Sequence, residues 1–395
     1  MESIYILAGT RTAIGTFGGS LKDVSPTELG TIVIREALAR AGVAGADVGH
    51  VVMGNVIPTV PMDAYLARVA AVEAGIPVDV PALTLNRLCG SGLQAIISGA
   101  QMVALGETDI VVAGGAETMS RAPHMAVTAR FGQRMGDITM VDTLTGSLSD
   151  PFSGDHMGVT AENVASDFAI CRETQDALAH ESHRRATAAR SAGRFKDQIV
   201  ALQIQDRKGV RAFDQDEHIR EDVSIDDLAN LRPVFRKYGS VTAGNASGVN
   251  DGAAAVVLAS QKSVDAFGLR PKAKILSWGH AGVEPSRMGL GPIKAVPIAL
   301  ERAGLTVDDM DTIESNEAFA AQACAVAQTL HFPSDKLNPN GSGISLGHPI
   351  GATGCILVVK ALYELERIAG RYGLITMCIG GGQGIAMVIE RASQP

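Results

Sequence analysis

Two cysteines and a histidine stand where a chain could carry out acyl chemistry. Cys89 lies in Leu88-Cys89-Gly90-Ser91-Gly92-Leu93, where an expected strand meets an expected helix. The unpaired amides and positive end of a helix N-terminus favour a thiolate there, and the glycines let other backbone or a substrate come close. A free cysteine at a tight turn is ordinarily a small core residue; the Gly-Ser-Gly context moves the reading toward a nucleophile. Such a thiol needs a base, and Gly347-His348-Pro349-Ile350-Gly351-Ala352-Thr353-Gly354 supplies a histidine before a Gly-rich helix start. Alone, His348 reads as a structural histidine fixed by the turn and the proline; paired with Cys89 it becomes the proton acceptor. Cys378 ends an apolar run ahead of Ile379-Gly380-Gly381-Gly382-Gln383-Gly384, whose backbone N–H groups could stabilise an oxyanion. Its plain reading is a packing cysteine in a glycine-rich hairpin. Asn316, in Asn316-Glu317-Ala318-Phe319, follows a short strand and opens a helix, where capping is the common role of Asn.

The elements that must position these residues alternate between strand and helix. In the first part, the spacing predicts strands at Ile4 to Ala8, His50 to Met53 and Asp109 to Ala113, with helices at Thr27 to Ala41, stopped by Gly42, and at Leu93 to Leu105. Ala253 to Ala259 is a further strand, far away in sequence. The last part repeats the theme. Strands are expected at Ala273 to Trp278, Thr312 to Glu314, Leu374 to Cys378 and Ile385 to Ile389. The end of a helix is expected at Ile298 to Ala303, closed by Gly304, and helices are expected at Ala318 to Leu330 and Ile356 to Ile368. Ala37-Leu38-Ala39-Arg40-Ala41-Gly42-Val43 echoes Ala299-Leu300-Glu301-Arg302-Ala303-Gly304-Leu305, and both reach an Asp, Asp47 or Asp309, and then a strand. The echo points to duplicated α/β halves. The middle differs: helical stretches at Gly158 to Phe168 and Arg172 to Ala192, and a charged, turn-rich run from Asp214 to Asp227, read as an insertion before the last strand of the first half. The organisation expected is 1–120 plus 251–270 for the first half, 121–250 for the inserted domain and 271–395 for the second half.

Composition narrows the function. The net charge of −8 argues against a nucleic-acid binder. No apolar run approaches the roughly 20 residues that span a bilayer, and the N-terminus lacks a basic stretch before an apolar one, so neither a membrane protein nor a signal peptide is expected. Five cysteines without framework spacing suggest a reducing, cytoplasmic setting. There is no Cys/His cluster with zinc spacing, so no metal is expected, and no Walker-type phosphate loop. Only 4% of the residues are aromatic, so the core must be built from Ala, Val, Leu and Ile.

Together the motifs resemble the thiolase family almost end to end: Leu88-Cys89-Gly90-Ser91-Gly92, Gly114-Gly115-Ala116-Glu117-Thr118-Met119-Ser120, His156-Met157-Gly158, Asn245-Ala246-Ser247-Gly248, Asn316-Glu317-Ala318-Phe319, Gly347-His348-Pro349 and Cys378-Ile379-Gly380-Gly381. The resemblance implies a duplicated, five-layered αβαβα fold whose inserted loop domain covers coenzyme A. It implies a β-ketothiolase activity, the reversible condensation of acetyl-CoA with acetyl-CoA or another short acyl-CoA to a 3-ketoacyl-CoA, with coenzyme A as substrate or product and no prosthetic group. Cys89 would be the acylated nucleophile, His348 its base and Cys378 the second acid/base. Asn316 would hold a water that, with His348, polarises a thioester oxygen, and the N–H groups of Cys89 and Gly380 would form a second oxyanion hole. Coenzyme A contacts would map to His156, Met157, Arg220, Ala243, Ser247, Ala318 and Phe319. A homotetramer built as a dimer of dimers is implied, joined through the loop Met125 to Leu144.

Two departures bear on chain length. Asn338-Pro339-Asn340-Gly341-Ser342-Gly343-Ile344-Ser345 replaces the commoner Val-Asn-Gly-Gly-Ala run, and Gln383 stands where Met is frequent. Both resemble bacterial β-ketothiolases of broader chain-length range, associated with polyhydroxyalkanoate synthesis. The rivals are a ketoacyl-carrier-protein synthase-like condensing enzyme, which has no counterpart of Cys378, and a non-catalytic acyl-CoA- or lipid-binding relative, which has no need of the complete Cys89, Asn316, His348 and Cys378 set.

Overall fold

The computed structural model describes residues 3–206 and 209–392. The strands are β1 (Ile4–Thr12), β2 (His50–Gly54), β3 (Ala82–Leu85), β4 (Ile110–Thr118), β5 (Asn250–Ser260), β6 (Ala273–Gly282), β7 (Thr312–Ser315), β8 (Tyr372–Ile379) and β9 (Gln383–Arg391). They form one hydrogen-bonded path in the order β7-β8-β9-β6-β1-β5-β4-β2-β3. Its two halves share one plan. β1 runs antiparallel to β5, β5 antiparallel to β4, and β4 parallel to β2. In the same way β6 runs antiparallel to β9, β9 antiparallel to β8, and β8 parallel to β7. The halves join edge to edge through a short pairing of Ile4, Tyr5 and Ile6 with Ile275, Lys274 and Ala273.

The helices make the layers. α1 (Pro26–Ala41) covers the outer face of the first half, on β1, β4 and β5. α5 (Gly291–Ala303) covers the second half, on β6, β8 and β9. These are the two echoed segments, and they end alike: Gly42 and Gly304 adopt left-handed backbone with φ of 65° and 68°, the helix stop that glycine takes without a Cβ penalty. Between the halves lie α2 (Ser91–Ala104) and α7 (Thr353–Arg367), packed on each other and on strands of both halves. An element covered on both sides must be apolar nearly all round. Residues 353–362 of α7 are accordingly all buried, Lys360 among them.

The structure extends most elements the sequence predicts. It also adds β3, a helix at Leu66–Glu73 and a hairpin of Leu202–Asp206 with Gly209–Phe213. One expectation is corrected. Asn316 does not cap a helix, because α6 (Ala320–Leu330) begins four residues later with Phe319 at its N-cap position. After β4 the chain leaves the first half, forms α3 (Met157–Asp167) and α4 (Arg172–Ser191), and returns as β5. The return is stitched to the second half: Ser247 N–H donates to Ala318 O at 2.9 Å, and Ala246 bridges to Phe319.

Candidate active site

A cavity of about 460 Å³ opens where the returning loop meets both halves. Cys89, His348, Cys378 and Gly380 border it, and so do His156, Met157, Arg220, Ala243, Ser247, Ala318 and Phe319. Segments separated by up to nearly three hundred residues thus share one space. Its wall is mostly apolar, with a few polar groups among the lining residues, the usual build of a small-molecule site.

Cys89 sits in a tight turn just before α2. Leu88 is held at φ 47°, uncommon for a residue with a Cβ. The hydroxyl of Ser91 pins the turn, donating to Leu88 O at 2.6 Å and accepting from Arg87 N–H at 2.8 Å. The Cys89 side chain is half-buried and faces the cavity, and the protein atoms packed around it push its thiol up to about 11. The amides of Gly380 and of Cys89 itself oppose that shift, while the charge of Glu117 adds to it. The expectation that the helix end favours a resting thiolate is therefore corrected: desolvation outweighs the N–H groups.

His348 is buried, and burial pulls its imidazole down to about 4, so the ring is neutral at neutral pH. Its Nε2 lies 3.4 Å from Asn316 Nδ2, and its Nδ1 lies 2.7 Å from Thr353 Oγ1. Two side chains hold its turn. Asn250 Oδ1 accepts from His348 N–H at 2.9 Å, and Glu117 Oε2 accepts from Gly351 N–H at 2.9 Å. Glu117 also accepts from Val56 N–H, Ile57 N–H and Asn55 Nδ2. Burial nevertheless pushes its carboxyl up to about 8.

Cys378, at the end of β8, is also buried, and its Sγ donates to Gln322 Oε1 at 3.4 Å. Burial, and then the neighbouring Cys89, raise its thiol above the ordinary range. Also on the cavity wall, His156 stacks on Phe235 with centroids 4.7 Å apart, and Phe235 meets Phe319 edge-on at 6.2 Å.

Sequence reasoning missed several wall residues: Met119, Leu148, His218, Val249, Met288 and Ile350. All but His218 are apolar, and Met119 and Ile350 lay inside quoted motifs without being singled out. It also missed Thr353, Gln322, Asn250 and Glu117, which act on site residues from behind; Glu117 and Thr353 lay inside quoted motifs. Neither the 338–345 run nor Gln383 borders the cavity. Asn338 brackets backbone instead, donating to Ser315 O at 2.8 Å and accepting from Ser315 N–H at 2.9 Å, and Gln383 Oε1 accepts from Arg87 at 3.1 Å.

The thiolase N-terminal-domain family model matches residues 4–262 and the thiolase C-terminal-domain model residues 269–391. The chain is 63% identical over 391 residues to beta-ketothiolase BktB of Cupriavidus necator, covering 99% of each. It is 50% identical to an acetyl-CoA acetyltransferase of Chromobacterium violaceum, covering 98% of this chain and 99% of the relative. Among solved structures, human mitochondrial 3-ketoacyl-CoA thiolase superposes with a TM-score of 0.97 at 42% identity, covering 99% of both chains. The acetyl-CoA acetyltransferase of Bacillus anthracis gives 0.97 at 45% identity, also with 99% of both covered. The chain belongs to the thiolase family, and its fold is the duplicated, layered thiolase fold.

Proposed function

We propose that this chain is a β-ketothiolase. It condenses acetyl-CoA with acetyl-CoA or another short acyl-CoA to give a 3-ketoacyl-CoA and coenzyme A, and it runs the reverse thiolysis. The observation that carries the reading is that two thiols, Cys89 and Cys378, and the imidazole of His348 border one mostly apolar cavity. His348 Nε2 takes the thiol proton of Cys89 as the sulfur attacks the acetyl carbonyl. The new carbon–sulfur bond forms, the bond to coenzyme A breaks, and coenzyme A leaves with the proton of Cys378, which becomes a thiolate while His348 keeps the proton from Cys89. Cys378 then removes an α-proton from a second acetyl-CoA. The resulting enolate attacks the acyl-enzyme, and Cys89 leaves and recovers its proton from His348.

The N–H groups of Cys89 and Gly380 receive the negative charge that builds on the acyl oxygen; what supports this is that both already act on the Cys89 sulfur. Asn316 and His348 polarise the thioester oxygen of the second acetyl group through a water held by Asn316. The 3.4 Å approach of the two side chains supports that pairing. Coenzyme A lies along His156, Met157, Arg220, Ala243, Ser247, Ala318 and Phe319, a reading supported by their position on the same cavity as Cys89. The chain works as a dimer of dimers joined through residues 125–144. Exposed Met125, Val127, Phe131 and Met135 in that loop are apolar side chains that such a contact would cover. Five unpaired cysteines favour a cytoplasmic setting.

Incubation with acetyl-CoA alone, followed by peptide mass spectrometry, should find one acetyl group on Cys89, and Cys89→Ala should lose both the adduct and turnover of acetoacetyl-CoA. Full turnover by that variant would overturn the mechanism.

A further inference from the structure

The base of this site has two ring nitrogens, and only one can carry the proton if the other is to accept one from Cys89. We infer that Thr353 is a positioning residue that sets the tautomer of His348, keeping the proton on Nδ1 and the lone pair on Nε2. The inference rests on the β-ketothiolase reading for its importance, but its geometry stands apart from that reading.

Thr353 opens α7, and both it and His348 are buried. Its Oγ1 lies 2.9 Å from Pro349 O, one helical turn back, and 2.7 Å from His348 Nδ1. A hydroxyl has one proton to give and two lone pairs. Pro349 O is a carbonyl and can only accept; it also takes Ala352 N–H at 2.8 Å and Thr353 N–H at 2.9 Å, and in its hydrogen bond with the hydroxyl it is Thr353 that donates the proton. Toward His348 the oxygen is then the acceptor, and Nδ1 must carry hydrogen. At the other end of the ring the Asn316 amide approaches Nε2, its Nδ2 at 3.4 Å. Because burial keeps the imidazole neutral, one proton placed on Nδ1 leaves Nε2 free. The arrangement is a hydroxyl counterpart of the carboxylate or carbonyl that commonly orients a catalytic or metal-bound histidine. A hydroxyl adds no negative charge, so the ring is oriented without being made strongly basic. Chain connectivity helps: Thr353 is five residues after His348, and the helical turn from Pro349 to Thr353 fixes the hydroxyl's own direction.

The test is magic-angle-spinning nitrogen NMR of histidine-labelled protein near neutral pH. The His348 resonances are identified by difference against His348→Asn. The expected spectrum has a protonated Nδ1 and a bare Nε2. In Thr353→Val, which keeps the shape and removes the hydroxyl, the bare-Nε2 signal should weaken in favour of the other tautomer. The kcat for thiolysis of acetoacetyl-CoA should fall about 100-fold, at the lower end of what a positioned base contributes, with KM for coenzyme A within about twofold. Thr353→Ser should restore both spectrum and kcat. A protonated Nε2 in the unaltered protein overturns the inference even if Thr353→Val fails to fold. So does a Thr353→Val enzyme with unchanged spectrum and kcat. Failure of Cys89 to become acetylated would instead overturn the proposed function and leave the tautomer result standing.

Discussion

Gly354→Ala should damage catalysis more than folding, because of where the two middle-layer helices touch. α2 and α7 meet near their N-termini, backbone against backbone. A Cβ on Gly354 would press closest on Leu93 N, and would lie 2.7 Å from Leu93 Cβ and 3.0 Å from Leu93 Cα. Across the seam, a Cβ on Gly92 would lie 2.8 Å from Cys355 N and 3.0 Å from Ala352 O. None of these atoms can swing away, since they are main chain or Cβ. Bringing Leu93 Cβ from 2.7 Å to ordinary contact at 3.4 Å alone opens the seam by about 0.7 Å, and clearing the still closer Leu93 N opens it further, to about 1 Å. Overpacking of this kind costs about 1–3 kcal/mol, and replacing a helical glycine by alanine returns up to about 1 kcal/mol, so the net loss of stability is small, on the order of 1–2 kcal/mol. Catalysis has no such offset. Cys89 lies just before α2 and His348 just before α7, so opening the seam parts nucleophile and base, and a misplacement near 1 Å can cost about 100-fold. The expected result is a 10- to 100-fold lower kcat for thiolysis of acetoacetyl-CoA, in the range those magnitudes allow. KM for coenzyme A should change by less than about threefold, because the residues proposed to bind it sit on the segment between β4 and β5 and on 318–319, away from the α2–α7 seam. Steady-state kinetics and urea denaturation measure the two effects separately. A kcat within about twofold of the unaltered enzyme, with the helix stabilised, would refute the idea that this seam sets the distance between Cys89 and His348.

Three further outcomes are expected. Alkylation of Cys89 by iodoacetamide should rise about tenfold per pH unit from roughly pH 7 to 10, because a thiol pushed up to about 11 is a small thiolate fraction throughout that window; a plateau reached below about pH 8 would mean a preformed ion pair with His348. Lys360→Met should cost about 3–5 kcal/mol in urea denaturation, since it strands Glu314, whose Oε2 faces Lys360 Nζ at 2.5 Å in the core; replacing Glu314 by Leu as well should recover most of that loss, and no recovery would place the cost in packing. Cys378→Ala should still acylate at Cys89 when given a thioester with a low-pKa leaving group, yet lose condensation and the exchange of α-protons of bound acyl-CoA with deuterated solvent; rapid exchange in that variant would assign the proton abstraction to another base.

The sequence by itself determined what local patterns can carry. Period and punctuation place the helices and most strands, and the echo around Gly42 and Gly304 reports the duplication because both ends need the same left-handed stop. The motifs around Cys89, His348 and Cys378 are legible because chemistry restricts residue type at those points. Shorter elements were not: β3 is four residues with only intermediate or exposed side chains, too little pattern to register. Tertiary structure alone decided the rest. Lys360 would pass for a solvent-facing residue on one helical turn, and it is buried because sheet lies on both sides of α7. The helix end before α2 favours a thiolate in isolation, but the walls that enclose Cys89 come from distant segments, and their desolvation prevails. Asn250, Gln322 and Glu117 reach His348, Cys378 and Gly351 across gaps of 98, 56 and 234 residues. Local period records which face an element buries; which distant donor or acceptor arrives at that face is settled only when the layers close.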